Sequence, residues 1–376
     1  MKQSKLKLII FLTIFYSLPG VQAQTIDPYL PDATTPPTIA GKKLVWNDEF
    51  NVDGKPNTAN WKPETGFVRN NELQYYQLAN VNCVGGVCLF TGKRDTVVNT
   101  KYVRGNTDWR YKDSLAYWTS ASLITQGLKT FQYGRIDVRA RIDTTYGAWP
   151  AIWQKGISGS WPACGEVDVL EFYNKKIYAN AIYGAVGAAN YSKCVNKSIS
   201  AVTGSDINWA KKFHLWTEIW TADSIKLYLD GVLMNSVLVA SIANPAGTTP
   251  ANGFLQPHFI LLNLAIGSNG GTPRAKTSSY TYEVDYIRVY QNDETAIVTV
   301  SAENIELYPN PVSDLLNLSS TLDIKKLTIF NLQGVQVMVQ NNPQKQISIE
   351  DLSQGIYSVV LTMSDGTSVV KRIIKY

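Results

Sequence analysis

Apolar and polar residues alternate in short runs along most of this chain. Gly134-Arg-Ile-Asp-Val-Arg-Ala-Arg-Ile142 is the plainest case. Its apolar and charged side chains take turns, which is the two-residue period of a half-buried strand. Similar short runs are Lys43–Trp46, Leu123–Ile124, Glu166–Phe172, Leu215–Trp220, Ile225–Leu229, Phe259–Leu264 and Val284–Tyr290. Gly, Asn, Asp and Pro separate them, and Asp230-Gly231 is a hairpin signal. No long segment has the 3.6-residue period of a helix. Many short strands without helices predict an all-β sandwich or barrel over residues 41–291. A sandwich of that size needs long, curved sheets, and a curved sheet has a concave face on which an extended ligand fits.

A second set of short runs begins near residue 303: Ile305–Tyr308, Leu315–Leu318, Lys326–Phe330, Val335–Val339, Ile347–Ile349, Ile356–Leu361 and Val369–Ile374. Residues 303–376 therefore predict a small C-terminal β-sandwich. Residues 292–302 read as the linker between the two units. Every tryptophan lies between Trp46 and Trp220, so the tail has none. Residues 24–40, with Pro28, Pro31, Pro36 and Pro37, read as a leading linker.

Residues 1–23 carry early lysines, an apolar run from Leu8 to Leu18, Pro19-Gly20, and small residues before Ala23. This is the pattern of a secretory signal peptide cleaved after Ala23. The apolar run is too short for a transmembrane helix, which takes about 20 residues. Export permits disulfides. Cys83 and Cys88 flank Val-Gly-Gly-Val, and Cys164 and Cys194 are left as a second pair, but four cysteines allow three pairings.

Apolar residues make up 45% of the 376 and charged residues 17%, which excludes wholesale disorder. The formal charge is +5. Removing the leader's Lys2, Lys5 and Lys7 leaves +2. That is too close to neutral for a nucleic acid or an anionic membrane as partner. Nothing in the sequence demands an oligomer, so a monomer is expected.

The chemistry concentrates in Glu166-Val-Asp168-Val-Leu-Glu171. Glu166 and Asp168 are two residues apart and share one face of a strand. Glu171 would point to the other face unless a β-bulge at Val169-Leu170 adds one residue and re-aims it. The three carboxyls then line one face, with Glu166 and Glu171 roughly 13 Å apart along the strand. Crowded carboxylates repel, so some keep their protons near neutral pH. One ionised carboxylate as nucleophile and one protonated as acid is the arrangement of a retaining glycosidase. A solvent-facing acidic stripe or a calcium site is the blander reading of this hexapeptide. The flanking Gly147-Ala-Trp149-Pro-Ala-Ile-Trp153 and Phe172-Tyr173 add aromatic rings, whose faces stack on sugars.

Gly147-Ala-Trp-Pro-Ala-Ile-Trp153, Trp161-Pro-Ala-Cys-Gly-Glu-Val-Asp-Val-Leu-Glu171 and Asn70-Asn71-Glu72-Leu-Gln-Tyr-Tyr76 resemble the signature of glycoside hydrolase family 16, laminarinase-like branch. Trp46-Asn-Asp-Glu49-Phe50, Trp118-Thr-Ser-Ala-Ser122, Gln256-Pro-His258 and Val284-Asp285-Tyr-Ile-Arg-Val-Tyr290 continue it in family order over about residues 41–291. The resemblance implies a jelly-roll sandwich with a substrate cleft across its concave face. It implies Glu166 as nucleophile, Glu171 as acid/base and Asp168 as the assisting carboxylate, and it needs no cofactor for catalysis. It makes Asn71, Trp149, Trp153 and Gln256 candidate substrate contacts. Glu72 is either near the cleft or in a structural ion pair. It also implies a structural calcium at Glu49, Gly86 and Asp285, the first two through backbone carbonyls.

The activity implied is retaining endo-hydrolysis of β-1,3- or mixed β-1,3/1,4-glucans. Three departures keep alternatives open. Ser122 stands where many laminarinases have an arginine, Phe172–Tyr183 differs from the His-containing segment usual in laminarinases, and His258 is unusual, reading as a structural histidine or a subsite contact. An enzyme for β-galactans (agar, porphyran, carrageenan or host glycans) and a non-catalytic glucan-binding module are the alternatives. Three crowded acids argue against the binder. In the tail, Leu307-Tyr-Pro309-Asn-Pro311, Gly355-Ile-Tyr357 and the closing Lys371-Arg-Ile-Ile-Lys375-Tyr are similar to the C-terminal sorting domain of type IX secretion substrates. That implies the type IX machinery as partner and a secreted or cell-surface protein. A carbohydrate-binding sandwich is the bland reading of the tail.

Overall fold

The computed structural model describes residues 26–293 apart from 186, 188 and 189, and residues 305–376 apart from 333, 334 and 365–367. The signal peptide, and nearly all of the 292–302 linker, lie outside the described residues.

Two sheets face each other over residues 42–292, antiparallel throughout except where Gln74–Tyr76 runs parallel to Leu115–Ser120. One has ten strands. Its path runs Val232–Leu238, Ser224–Leu229, His214–Trp220, Gly134–Ile142, Ser279–Asn292, Val87–Val98, Leu115–Ser120, Gln74–Tyr76, with Lys42–Asp48 and Val81–Val84 paired beside it. The other has seven strands in the order Asn190–Ser198, Lys176–Gly184, Glu166–Tyr173, Ala148–Gly156, His258–Ile266, Ser122–Ile124, Lys62–Pro63. Alternate apolar residues of both sheets interdigitate in one core, as the two-residue period requires. Five residues, Ile199–Thr203, form a helix, capped where Ser198 Oγ accepts from the Ala201 amide at 3.2 Å.

The core-facing residues of the seven-stranded sheet include Ala148, Ile152, Val167, Val169, Leu170, Phe172, Ile260, Leu262 and Leu264. Its other face carries a separate small apolar cluster of Ala151, Trp153, Phe259 and Leu261. Cross-strand register sets three rows on that outer face. Glu171 lies across from Ala151, then Asn263, then Ser122; Asp168 from Trp153, then Leu261, then Ile124; Glu166 from Lys155, then Phe259.

The tail has its own core, including Ile305, Leu316, Leu327, Val359, Leu361 and Ile373, between a three-stranded and a four-stranded sheet. Among the described residues no helix is long and apolar enough to cross a membrane.

Two expectations change. Residues 26–40 do not behave as a free linker. The Phe213 amide donates to the Pro28 carbonyl at 2.7 Å, and Arg139 donates to the carbonyls of Leu30 and Asp27. Asp32 is buried, pairs with Arg288, and gives its amide to the Asp285 carboxylate. The turn at Pro28–Leu30 presents its carbonyls to the ten-stranded sheet, where Arg139 and Arg141 donate to them.

No disulfide is formed: all four cysteines are free thiols. Cys83 and Cys88 face each other across a hairpin as a hydrogen-bonded thiol pair. Cys164 is buried just before the acid strand, whereas Cys194 is exposed on the edge strand beside Tyr173 and Tyr178.

Candidate active site

The acid strand, Glu166–Tyr173, slips register between Asp168 and Leu170 against one neighbour and between Asp168 and Glu171 against the other. This is the expected bulge. It turns Val169 and Leu170 both into the core, where each is buried, and so returns Glu171 to the face of Glu166 and Asp168. All three carboxyls line one cleft of about 290 Å³, together with Arg69, Asn70, Glu72, Trp149, Trp153, Lys155, Trp161 and Asn263.

Each acid has a distinct set of partners. Glu171 accepts from the Trp149 indole at 2.9 Å and from Asn180 Nδ2 at 3.3 Å. Asp168 accepts from the same Asn180 amide at 2.9 Å and shares a hydrogen bond with Glu171. Glu166 accepts from the Trp161 indole at 3.0 Å. Burial raises all three. Glu166 is pushed up to about 8, by burial and then the charge of Asp168, while Lys155, Trp161 and Arg69 pull it back. Asp168 is pushed up to about 7 by burial, against the hydrogen bonds from Asn180 and Glu171. Glu171 is raised well above the usual carboxylate range, by burial and by the charges of Asp168 and Glu166. Glu171 is thus the acid that holds a proton, and Asp168 is its acceptor. Glu166 is raised as well, and Lys155, Trp161 and Arg69 are the neighbours that work toward its charged form.

The candidate contacts fare unequally. Trp149 and Trp153 line the cleft, but both are nearly buried and neither ring face is an open platform. Trp149 meets Tyr173 edge-on, and Trp153 lies under the Arg69 guanidinium at 5.1 Å with its N–H on Asn263 at 2.6 Å. The open indole is Trp161, 44% exposed. Asn71 lies in a neighbouring recess with Phe67, Trp109 and Trp118, while Asn70 lines the cleft. Gln256 spends its amide on the loop before the acid strand. Its Nε2 donates to the Ser158 and Cys164 carbonyls and its Oε1 accepts from the Ser158 amide. It pins that loop, because the three bonds occupy both ends of the amide. Glu72 lines the cleft floor, held by Gln74 at 2.6 Å and Tyr76 at 3.2 Å. His258 is buried, packs on Trp220 and Phe254, bonds the Gly253 carbonyl at 2.9 Å, and is pushed down to about 4 by burial. It is a structural histidine. Ser122 lies on the outer face, with its hydroxyl on Glu64 at 2.6 Å.

The residues expected at calcium are engaged otherwise. Both Glu49 oxygens accept from Arg288, at 2.9 and 2.7 Å. Asp285 is paired with Arg139 and accepts the Asp32 amide. Pro31 lies against Gly86, within 3.4 Å of where a Cβ there would sit. Both carboxylates are neutralised by arginines and Pro31 lies over Gly86, so a calcium here would depend on the backbone carbonyls expected of Glu49 and Gly86. Among the described residues no cluster of three His, Cys, Asp or Glu could hold a metal.

Arg69, Lys155, Trp161, Asn180 and Asn263 were not foreseen as site residues. The cross-strand register brings Lys155, Asn180 and Asn263 to the acids. Trp161, five residues before Glu166, and Asn263, in Leu262-Asn263-Leu-Ala-Ile-Gly267, stood in stretches that resemble the family signature without being read as site residues.

A two-sheet sandwich with a bulged carboxylate strand in an aromatic-lined cleft defines a carbohydrate-cleaving architecture. The chain belongs to the glycosyl hydrolases family 16, whose family model matches residues 90–288, and residues 306–376 match the secretion system C-terminal sorting domain. It is 31% identical over 281 residues to glucan endo-1,3-beta-glucosidase A1 of Niallia circulans, a match covering 68% of this chain and 39% of that protein. The chain thus spans about two-fifths of that relative. A solved structure from work on endo-acting O-glycanases with which human gut bacteria initiate mucin breakdown is similar at 30% identity and TM-score 0.63. That match covers 70% of this chain and 95% of the other. The catalytic domain of the Thermotoga petrophila laminarinase is similar at 26% identity and TM-score 0.56, covering 68% and 100%.

Proposed function

We propose that this protein is an exported retaining endo-glycosidase acting on β-1,3- or mixed β-1,3/1,4-glucan. The observation that carries the reading is the bulged acid strand, which brings Glu166, Asp168 and Glu171 into one cleft, with Glu171 bonded to Asp168 and with Lys155 and the Trp161 N–H beside Glu166. Glu171 protonates the glycosidic oxygen as Glu166 attacks the anomeric carbon and forms a glycosyl-enzyme. Departure of the sugar leaves Glu171 ionised. It then takes a proton from water, which attacks the same carbon and frees Glu166. Asp168 holds Glu171 in place and, as the triad's third charge, sets how tightly each neighbour keeps its proton.

The 1,3-glucanase named among the relatives and the laminarinase structure support the glucan substrate. The O-glycanase likeness and a Ser122 turned to Glu64 favour a second reading, a β-galactoside-containing glycan. The sorting-domain match supports type IX export, with residues 1–23 as the signal peptide.

The test is product release from laminarin, barley mixed-linkage glucan, agarose, porphyran, κ-carrageenan and keratan-type glycans. Glu166→Gln and Glu171→Gln are each expected to lower kcat by about 10³-fold or more with the fold intact. Near-normal turnover in either sinks the assignment. Products from galactans alone move the substrate to the second reading.

A further inference from the structure

The cleft holds a guanidinium that the proposed reaction does not use. Arg69 reaches it from the turn before Gln74–Tyr76, where Asn70 and Asn71 both adopt positive φ, +59° and +51°. Asparagine tolerates that region better than most residues, because its short side chain can bond the nearby backbone. Ser268 Oγ fixes the turn by donating to the Asn70 carbonyl at 2.6 Å. The guanidinium is then clamped. Glu64 accepts from Nη2, and Ser122 Oγ holds the same Glu64 oxygen at 2.6 Å. The rings of Trp153 and Tyr76 lie 5.1 and 5.7 Å from its carbon. Arg69 lines the cavity beside the three acids. Only Nη2 is engaged among the described residues. Nη1 has no hydrogen-bond partner although it is shielded from solvent, and 18% of the side chain stays open. A donor held in a fixed orientation without an acceptor is costly in an empty site and is satisfied when a ligand oxygen arrives.

We propose that Arg69 is a specificity-determining residue of the cleft, donating its unpaired Nη1 edge to an oxygen of the sugar bound beside Glu166. Arginine recognition then comes from the loop, not from position 122, where a serine hydroxyl serves the clamp instead. This rests on the glycosidase reading, since it assigns a contact within the same cleft. It requires that the sugar beside Glu166 present a hydroxyl or ring oxygen toward Arg69. Covering Trp153 also means that the ring does not stack on that sugar directly.

The test is steady-state kinetics of the full chain on laminarin, barley mixed-linkage glucan and a keratan-type glycan. Arg69→Lys is the deciding variant. It keeps a positive charge against Glu64, so a merely structural ion pair survives, but it removes the planar donor edge. The expected result, on whichever substrate the wild type cleaves, is KM raised about tenfold with kcat within about threefold. Melting temperature should stay close to wild type. Arg69→Ala should raise KM at least as much, and Ser122→Ala by a smaller factor, because it loosens the clamp without removing the donor. Unchanged KM in Arg69→Lys overturns the proposal while leaving the glycosidase reading standing. A loss of kcat in step with a lowered melting temperature overturns it in favour of a structural role. No turnover of any substrate by the wild type overturns both.

Discussion

At the residue scale, the acids are separated by what surrounds them. Glu166 has Lys155 as its cross-strand neighbour, and the Lys155 ammonium makes no ion pair among the described residues. Its charge and the Trp161 N–H both favour ionised Glu166 against burial and against Asp168. Glu166 must be ionised to attack. Removing either helper raises its pKa, so less of it is ionised at a given acidic pH. Lys155→Met or Trp161→Phe should therefore move the acidic limb of the kcat/KM profile to higher pH. The loss should be larger at pH 5.5 than at pH 8.5, measured from pH 5 to 9. Because the triad titrates as a unit, the limb belongs to the three acids together. An unmoved limb in both variants means that neither group acts on the nucleophile. The i, i+2, i+5 spacing made the acids and their bulge legible from the sequence alone, since only a bulge puts all three on one face. Lys155 was not legible, because it lies two residues beyond the motif read for its tryptophans and reaches Glu166 only through strand pairing. Arg69 was hidden for a related reason. Its neighbours Asn70 and Asn71 carried the motif, and the turn they form sends Asn71 aside and Arg69 inward.

At the scale of elements, the strand order and the segment before it tell different stories. Alternating runs located many of the strands, because one face of each is buried. The strands Lys176–Gly184 and Asn190–Ser198 escaped, since alanines and asparagines blur their alternation. Residues 26–40 read as a free linker from their proline content, whereas the turn at Pro28–Leu30 offers its carbonyls to the arginines of the neighbouring sheet. The consequence is a strap whose Asp32 is buried between Arg288 and the Asp285 carboxylate that its amide meets. Asp32→Ala removes one acid from a buried arginine that also holds Glu49, so the cost is a part of the 3–5 kcal/mol typical of breaking a buried pair, roughly 1–3 kcal/mol. A melting temperature lowered by several degrees is expected. Arginines neutralise the Glu49 and Asp285 carboxylates at the position where the family resemblance implied calcium. EDTA should leave the melting point of the wild type unchanged, and added calcium should not raise it. A calcium-dependent rise in the thermal midpoint would restore the metal site and require that backbone carbonyls make it.

At the scale of the whole molecule, the two units are built to be separable. Each has its own buried cluster, and no strand of one pairs with a strand of the other among the described residues. Every residue of the cleft lies between Arg69 and Asn263, within the first unit. The tail's strands are closed by its own C-terminal contacts: Val312 meets Lys375, and the Lys375 ammonium reaches Asp314 at 3.1 Å. Residues 306–376 match the secretion system C-terminal sorting domain, so export and not catalysis is the role expected of this unit. Stopping the chain at residue 300 should therefore leave kcat and KM within about twofold of the full protein, because no catalytic contact is removed. In a host with a type IX system the shortened protein should accumulate in the periplasm, while the full chain reaches the surface or the medium. The fractions are separated and assayed for glycan cleavage and for the protein itself. Export of the shortened chain would mean that the tail is not the sorting element. Retention with lost activity would mean that the tail supports the cleft, and the two units would then have to be treated as one.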